Sequence, residues 1–382
     1  MSQPKENAEL LVEKNNPKSY HVQKSPLPSL GADEVLVRID KFALTANNLT
    51  YVVLGNAYQY FDFFSTPQDK FGRVNVWATG TVTHSRHASL VAGERVYGYF
   101  PAAQYQILKP STVRDSFFYV ARDHLPADRK IYNQYFRLAK DAEYAPHFEE
   151  QMLVFRPLWW TSFFLDDYLH ESKYFGAKMA VVSSASSKTA FCFAHLLKRR
   201  QLMPVIGLTS KRNAAFVRKL GCYDSVLEYD ELDRLPKSTP FVYCDVAGDT
   251  QLQARLLQKC GDQLVKAVVA GLSHWEQSEG GAPTQDKKVQ VFFAPEWIKK
   301  RREQLGPELP KRQAQAWADL MARADRWIGI RRLAGEKAVS DTYRGLLQGS
   351  VDADVGVVLT LHQRTHAPPP PPAAAAATKS KL

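Results

Sequence analysis

Hydrophobic and polar residues alternate in the first hundred positions as they do in half-buried strands. Apolar side chains occupy every second position over residues 34–40, and residues 77–83 and 95–100 repeat the pattern. Gly80 lies inside the second segment, which indicates a bulge or the close approach of another backbone. Glycine and proline separate these short segments, so the sequence predicts a small, mostly antiparallel β-domain.

A different pattern begins near position 177, where apolar runs alternate with amphipathic segments. The runs at 178–183, 204–209, 225–227, 241–245 and 263–270 are typical of buried parallel strands. Helical periodicity at 188–200, 213–220 and 251–258 separates them, and Gly221 is placed to end the second helix. This order predicts a doubly wound α/β unit. A basic helical stretch and a last strand at 357–361 follow.

Composition permits two domains and excludes some functions. The chain has 382 residues, of which 45% are hydrophobic and 23% charged, as in an ordinary globular protein. No apolar run approaches the roughly 20 residues that cross a membrane, so we expect no membrane segment. The four cysteines form no CxxC pair and no zinc spacing with histidine. We therefore predict free thiols and no metal site.

The net charge of +11 favours an anionic partner of small size. The basic residues are scattered, and no recognition motif accompanies them, so we do not expect nucleic acid binding. The densest cluster, residues 299–302, is interpreted as the solvated face of a helix. A dinucleotide or coenzyme A would benefit from the positive field. Aromatic residues crowd positions 114–170, where most should fill an interface between domains and some could line an apolar pocket.

The chain ends in Ser380, Lys381 and Leu382. A terminal Ser-Lys-Leu is read by the peroxisomal import receptor, so we expect that receptor as a partner and the peroxisome as the location. Five prolines at 368–372 and five alanines at 373–377 precede it. Such prolines form an extended spacer that would hold the tripeptide clear of the folded domains.

Several short segments together resemble the medium-chain dehydrogenase/reductase superfamily. They are residues 26–38, the Gly-Glu-Arg-Val turn from Gly93, residues 176–182, Asp-Val-Ala-Gly at 245–248, and the closing pair 346–349 and 356–359. The resemblance implies a GroES-like catalytic domain at 1–160 with an aromatic-rich insertion and a Rossmann domain at 161–300. It also implies a segment at 301–366 that returns to the first domain, before the spacer and tail at 367–382. Homodimers are common in the superfamily.

Two departures from the family pattern define the expected chemistry. Residues 44–50 contain no cysteine where alcohol dehydrogenases place a zinc ligand, so the chain resembles the zinc-independent quinone and enoyl reductases. The glycine-rich GxGxxG loop is also missing. In its place stand Ser183, Ser184, Ala185, Ser186, Ser187 and Lys188.

That serine loop is still a candidate cofactor site. A helix N-terminus presents free N–H groups, and the hydroxyls of Ser183, Ser184, Ser186 and Ser187 with the Lys188 ammonium could donate toward phosphate. The alternative is that the loop is only a serine-capped helix start. Ser210, Lys211 and Arg212 follow the second strand, where an NAD site would carry an acidic residue. This trio suits a 2′-phosphate, so the predicted cofactor is NADP(H).

The resemblance also implies catalytic candidates in a cleft between the domains. A tyrosine closely follows a glycine in the family, and here Gly55 precedes Tyr58, our first choice for the donor to a substrate carbonyl. Tyr51 is the second choice, and Asn48 could orient substrate or ribose. Ser273 and His274 follow the last strand, at an edge where ligands of doubly wound sheets lie. The alternative for each is a packing or surface role.

Three functions fit these observations. The first is a zinc-independent, NADPH-dependent reductase of an α,β-unsaturated carbonyl, either an enoyl-CoA or a lipid- or polyketide-derived enone. The second is a non-redox lyase of the retro-aldol or hydratase type, in which a tyrosine or His274 acts as acid or base. The third is a binding protein without catalysis, which the glycine-free loop would permit.

Overall fold

The structure is a computed structural model that describes residues 2–270, 286–292 and 294–363. Among these residues there are three sheets with three, nine and six strands. No described helix is both long enough and apolar enough to span a membrane. The first two sheets form the N-terminal domain, and the third forms the second domain.

The N-terminal domain is built from mostly antiparallel strands, as the alternating pattern predicts. Gly80 pairs with Ile39 where the register shifts, and a Cβ there would lie 2.7 Å from the Arg38 carbonyl oxygen. The predicted close approach is therefore confirmed. The elements are β1 (Glu6–Glu13), β2 (Asn16–Pro26), β3 (Val35–Leu44), α1 (Ala46–Val53), β4 (Phe71–Arg73), β5 (Asn75–Ser85), β6 (Arg95–Pro101), β7 (Tyr105–Leu108), β8 (Pro110–Val113), β9 (Phe117–Val120) and β10 (Gln134–Arg137).

The second domain is a six-stranded parallel sheet with helices on its faces, so the predicted fold class is confirmed. Its strand order, β13-β12-β11-β14-β15-β16, is that of a doubly wound nucleotide-binding sheet. The elements are β11 (Met179–Val182), α3 (Lys188–Arg200), β12 (Val205–Thr209), α4 (Ala214–Leu220), β13 (Ser225–Glu228), β14 (Phe241–Asp245), α5 (Thr250–Cys260), β15 (Leu264–Val269) and β16 (Val289–Val291).

A long helix, α2 (Glu149–Glu171), joins the two domains and carries much of the aromatic stretch. Phe155 packs against Phe191 of α3, and Trp159 packs against Trp317 of α7 (Glu308–Trp327). For Phe155 and Trp159 the interpretation as packing between domains agrees with these contacts, because large rings remove much apolar surface from water. Phe118 and Tyr135 instead stack on each other in the core of the N-terminal domain. Helix α6 (Ala294–Leu305) also packs on α2.

The C-terminal part of the described chain returns to the first domain. It comprises β17 (Gly329–Ala334), α8 (Glu336–Leu347) and β18 (Val355–Thr360). Strand β18 pairs with β3 antiparallel, with Val357 opposite Leu44. This pairing places β18 beside the loop that begins α1, which becomes important for the site.

Two buried ionic groups hold α2 in place. Arg156 is 1% exposed and pairs with Asp141 and Glu143, while its guanidinium also lies over the rings of Tyr97 and Phe136. Burial raises the pKa of Glu143, which Arg156 opposes. This cluster joins the aromatic insertion to α2.

The second group corrects a prediction made from charge. Within the basic cluster at 299–302, Lys299, Lys300 and Arg302 are exposed, but Arg301 is buried against Asp167 of α2. The interpretation of the whole cluster as a solvated face was wrong for Arg301. Its position one helical turn after Trp297 and Ile298 places it on the face that packs against α2.

Candidate cofactor and substrate site

The loop after β11 begins with a serine that is part of the fold. Ser183 is buried; its Oγ donates to Asp245 Oδ1 at 2.9 Å and accepts from the Val246 amide at 3.2 Å. Asp245 Oδ1 also accepts from the amides of Ala247 and Gly248. Burial raises the pKa of Asp245, and these hydrogen bonds oppose the shift. The Ser183 hydroxyl therefore ties two strand ends together and is not directed at a ligand.

The next residue keeps the backbone shape that a glycine would supply. Ser184 has φ of 47°, in the left-handed region that favours glycine. Its amide donates to Tyr229 Oη at 3.2 Å, one residue beyond β13. The loop thus turns as a glycine-containing loop does, although the glycine is absent. Tyr229 was missed from the sequence, and its place at the carboxyl end of a parallel strand was the available signal.

The start of α3 keeps donors that an anion could use. Ser187 is the N-cap, and its Oγ accepts from the Ala190 amide at 3.3 Å, as the alternative reading of a capped helix required. The amides of Lys188 and Thr189 precede the first intrahelical hydrogen bonds of α3 and have no acceptor within the helix. Ser186 Oγ accepts from Asn213 Nδ2 at 3.0 Å, which leaves its own proton available.

Lys188 is engaged with the protein itself. Its Nζ donates to the carbonyls of Ala353 at 3.2 Å and Val355 at 3.1 Å. Burial lowers the pKa of Lys188 to about 8. The sequence predicted that the Lys188 ammonium binds phosphate. In this structure the ammonium instead binds two backbone carbonyls at the start of β18.

This contact also brings the two predicted halves of the site together. Val355 lies two residues before Val357, which pairs with Leu44. Leu44 is followed by Thr45, the N-cap of α1. The serine loop and the start of α1 therefore lie at the same edge between the domains, as a cofactor and its substrate require.

The trio after β12 lies beside the same C-terminal segment. The Ser210 carbonyl accepts from the Asn213 amide at 3.0 Å, and Lys211 is exposed. Arg212 Nη2 donates to Asp352 Oδ1 at 2.9 Å, and its Nη1 donates to the Gly349 carbonyl at 3.3 Å. Both cations lie at the carboxyl edge of the sheet, where a 2′-phosphate is expected.

Asn48 positions helix α1. It is buried, its Oδ1 accepts from the Thr45 amide at 2.7 Å, and its Nδ2 donates to the Asn75 carbonyl at 3.0 Å. Both ends of its amide are thus occupied. Asn48 caps α1 and joins it to β5, so the structure gives it a positioning role.

Tyr51 is a buried residue of α1. Its Oη accepts from Asn47 Nδ2 at 2.9 Å and from Trp77 Nε1 at 3.1 Å. Burial raises the pKa of Tyr51, so the hydroxyl stays neutral at any working pH. Its oxygen is therefore used to orient Asn47 and Trp77.

Among the ring contacts of the described residues, Tyr58 is joined to Tyr51 only through Tyr60, whose ring centroid lies 4.9 Å from that of Tyr51. The Tyr58 side chain is 36% exposed, it stacks on Tyr60 at 6.3 Å, and the Arg129 guanidinium lies 5.6 Å from its ring. The structure therefore does not bring our first-choice donor to the residues around Thr45. Ser273 and His274 lie outside the described residues, as do Ser380, Lys381 and Leu382.

A small cavity separates α1 and β5 from α2. Its volume is about 10 Å³, room for roughly one water molecule. Asn47 is a polar residue of its wall that sequence reasoning did not select. Within the described part of the chain, no three acidic, histidine or cysteine side chains cluster as metal ligands would. The cavity is lined by Ala43, Thr45, Asn47, Asn48, Trp77, Leu153, Val154, Pro157 and Leu158.

Comparison with known proteins supports the fold. A family model described as "Protein of unknown function (DUF2855)" matches residues 42–352. No curated protein matches the sequence. The structure of CurA from Vibrio vulnificus in complex with NADPH is 14% identical, with a TM-score of 0.57, and the match covers 94% of this chain and 100% of that one.

Two further solved structures are similar over the same length. The quinone oxidoreductase from Coxiella burnetii is 14% identical with a TM-score of 0.54, covering 94% of this chain and all of that chain. A putative NADPH:quinone reductase from Bacillus thuringiensis is 13% identical with a TM-score of 0.52, covering 93% and 99%. At these identities the likeness shows a shared fold.

Proposed function

The chain belongs to the family described as "Protein of unknown function (DUF2855)", and we propose that it is a zinc-independent, NADPH-dependent reductase of α,β-unsaturated carbonyl compounds. The observation that carries this proposal is the turn at Ser184. A left-handed serine in front of the α3 N-terminus preserves the shape of a dinucleotide loop without its glycines. Solved structures of the same fold include that of CurA in complex with NADPH.

The described residues fit an NADPH molecule at three places. The amides of Lys188 and Thr189, with the Ser186 hydroxyl, would hold the pyrophosphate at the start of α3. Tyr229 would border the same loop, since its hydroxyl already contacts the Ser184 amide. Arg212 and the exposed Lys211 would hold the 2′-phosphate, because guanidinium and ammonium groups both bind phosphate oxygens.

On the substrate side, Asn47 is the donor that we propose. Its amide gives one N–H to Tyr51, which leaves a second N–H for the carbonyl oxygen of a substrate. Such a donor would stabilise the enolate that forms when the β-carbon accepts a hydride. Bound NADPH would supply that hydride. Tyr51 and Trp77 would fix the orientation of Asn47 and help exclude water.

The proposal is tested by following NADPH oxidation with a panel of enones and enoyl-CoA esters. We expect turnover with at least one member, and a loss of about 10²-fold in Asn47→Ala, the scale seen when one oxyanion donor is removed. Tyr58→Phe is the matched control and should stay close to the parent rate. NADPH binding without oxidation by any member would contradict the reductase proposal.

One observation favours a second candidate, a binding protein without catalysis. The cavity beside Asn47 holds about one water, so a substrate would enter only if α2 moved away from α1. A protein that binds NADPH, or an acyl ligand, while all panel members are left unchanged would support this candidate.

The proposed peroxisomal location and import receptor depend on Ser380, Lys381 and Leu382 alone. With this location, acyl or lipid-derived carbonyls are the favoured substrates. A fluorescent fusion that preserves the C-terminus should mark peroxisomes, and deletion of the three residues should release it to the cytosol. Unchanged distribution would contradict the location. The predicted homodimer stays a prediction.

A further inference from the structure

A segment that follows α8 and ends at the first residue of β18, residues 349–355, contacts both loops predicted to hold the cofactor. Lys188, from the first loop, donates to the carbonyls of Ala353 and Val355. Arg212, from the second loop, donates to the Gly349 carbonyl and pairs with Asp352. Two of the three cations predicted to meet phosphate, Lys188 and Arg212, thus contact the 349–355 segment.

The backbone of this segment is fixed by its own turns. The Gly349 amide donates to the Leu346 carbonyl at 3.1 Å, and the Ser350 amide donates to the Gly345 carbonyl at 2.9 Å. The Val355 amide donates to the Asp352 carbonyl at 3.2 Å. Gly349 has φ of 61°, where glycine is favoured. Asp352 is therefore presented to Arg212 from a defined backbone position.

We propose that Asp352 occupies the place on Arg212 that the 2′-phosphate of NADP(H) would take, and so sets the affinity for phosphorylated over unphosphorylated dinucleotide. The inference rests on the proposed function. A carboxylate and a phosphate monoester both accept hydrogen bonds from a guanidinium, and Asp352 accepts one from Nη2 while Nη1 donates to the Gly349 carbonyl. Both anions cannot use the same N–H, and their like charges repel.

The exposure of the pair determines the size of the effect. Arg212 and Asp352 side chains are 61% and 59% exposed. Exposed ion pairs are weak, so Asp352 competes with the phosphate and does not block it. NADH lacks the 2′-phosphate, so it would make no contact with Arg212 that competes with Asp352.

The experiment is a calorimetric titration of the full chain with NADPH and with NADH. Asp352→Asn should bind NADPH about two- to fivefold more tightly, the range that an exposed pair supports, and NADH as before. Asp341→Asn is the matched control, since it removes an equal charge from an exposed group that pairs with Lys337 and Arg344 on α8. It should change neither affinity. In an Arg212→Ala background, Asp352→Asn should have no effect.

Equal gains for NADPH and NADH, or a gain in Asp341→Asn of the same size, would overturn the inference in favour of general electrostatics. Unchanged NADPH binding by Asp352→Asn would also overturn the inference. Weaker NADPH binding would overturn it too, because Asp352 would then help to hold Arg212 in place. If the parent protein binds no NADPH, the proposed function fails and this inference fails with it. If the parent binds NADPH and Asp352→Asn binds it equally, only this inference fails.

Discussion

The two sides of the site use their polar groups in opposite ways. At the carboxyl edge of the parallel sheet, the α3 amides, Ser186 and Lys211 keep donors available. In the first domain, Asn48 and Tyr51 are already hydrogen bonded within the protein. The cofactor side is therefore defined by backbone geometry, whereas the substrate side is defined by side-chain packing that leaves little space.

The largest expected effect concerns the packed side. Arg156→Met would leave Asp141 and Glu143 buried without their cation. Breaking a buried ion pair from one side costs about 3–5 kcal/mol, so the free energy of unfolding should fall by that amount in urea titrations. Arg234→Met removes an exposed arginine that pairs with Glu231 and should leave the free energy of unfolding nearly unchanged, because exposed ion pairs contribute little. Equal losses would show that the substrate side is not held by buried charge.

The next comparison separates the two tyrosines. Tyr51→Phe removes the acceptor of the Asn47 and Trp77 N–H groups, and an unsatisfied buried donor costs about 1–3 kcal/mol. We expect that loss in the free energy of unfolding, together with slower NADPH oxidation. Tyr58→Phe, at an exposed position, should change stability by less than about 0.5 kcal/mol. Loss of turnover in Tyr58→Phe alone would restore Tyr58 as the donor.

The contact between Lys188 and the carbonyls of Ala353 and Val355 should make the free energy of unfolding depend on pH. The pKa of Lys188 is lowered by burial to about 8 in the folded protein. Between that value and the ordinary lysine pKa, the unfolded chain binds one more proton, so stability rises with pH there. Relative to Lys188→Met, the parent should gain about 1–3 kcal/mol between pH 7 and pH 10. If the free energies of unfolding of the parent and Lys188→Met differ by a constant amount across this range, the pKa of Lys188 is not lowered in the folded protein.

The smallest expected effect tests the turn of the cofactor loop. The left-handed backbone at Ser184 costs free energy because the residue has a Cβ. Ser184→Gly should therefore stabilise the fold by up to about 1 kcal/mol, a figure that allows for the greater entropy of glycine in the unfolded chain. Ser184→Ala retains the Cβ and should give no gain. Thermal unfolding of the two variants measures the difference. Greater stability of the alanine variant would contradict the glycine-like turn.

Much of the fold follows from local patterns. The periodicity at 188–200 predicted α3 to the residue, because an amphipathic helix and its serine cap are local signals. The apolar runs that alternate with amphipathic segments predicted the parallel strands, because these runs are also local signals. Arg301 shows where local patterns stop, since its burial depends on Asp167, distant in sequence.

The candidate site was less predictable from the sequence. The loop from Ser183 to Lys188 could be located by its position after a strand, but its contacts come from Tyr229, Asp245 and Val355. Tyr58 was preferred because of its spacing from Gly55, whereas the path of the chain turns it toward solvent. Asn47 lines the cavity and donates to Tyr51 Oη, which also accepts from Trp77, and sequence spacing carries no sign of these contacts.

The central claim, that the serine loop binds NADPH, is tested most directly by the melting temperature of the purified protein with added NADPH. At a concentration about 100 times Kd, a ligand that binds only the folded state adds about 2.7 kcal/mol. For a chain of this size we therefore predict a rise in Tm of several degrees, larger with NADPH than with NADH. An unchanged Tm at millimolar NADPH would contradict the account.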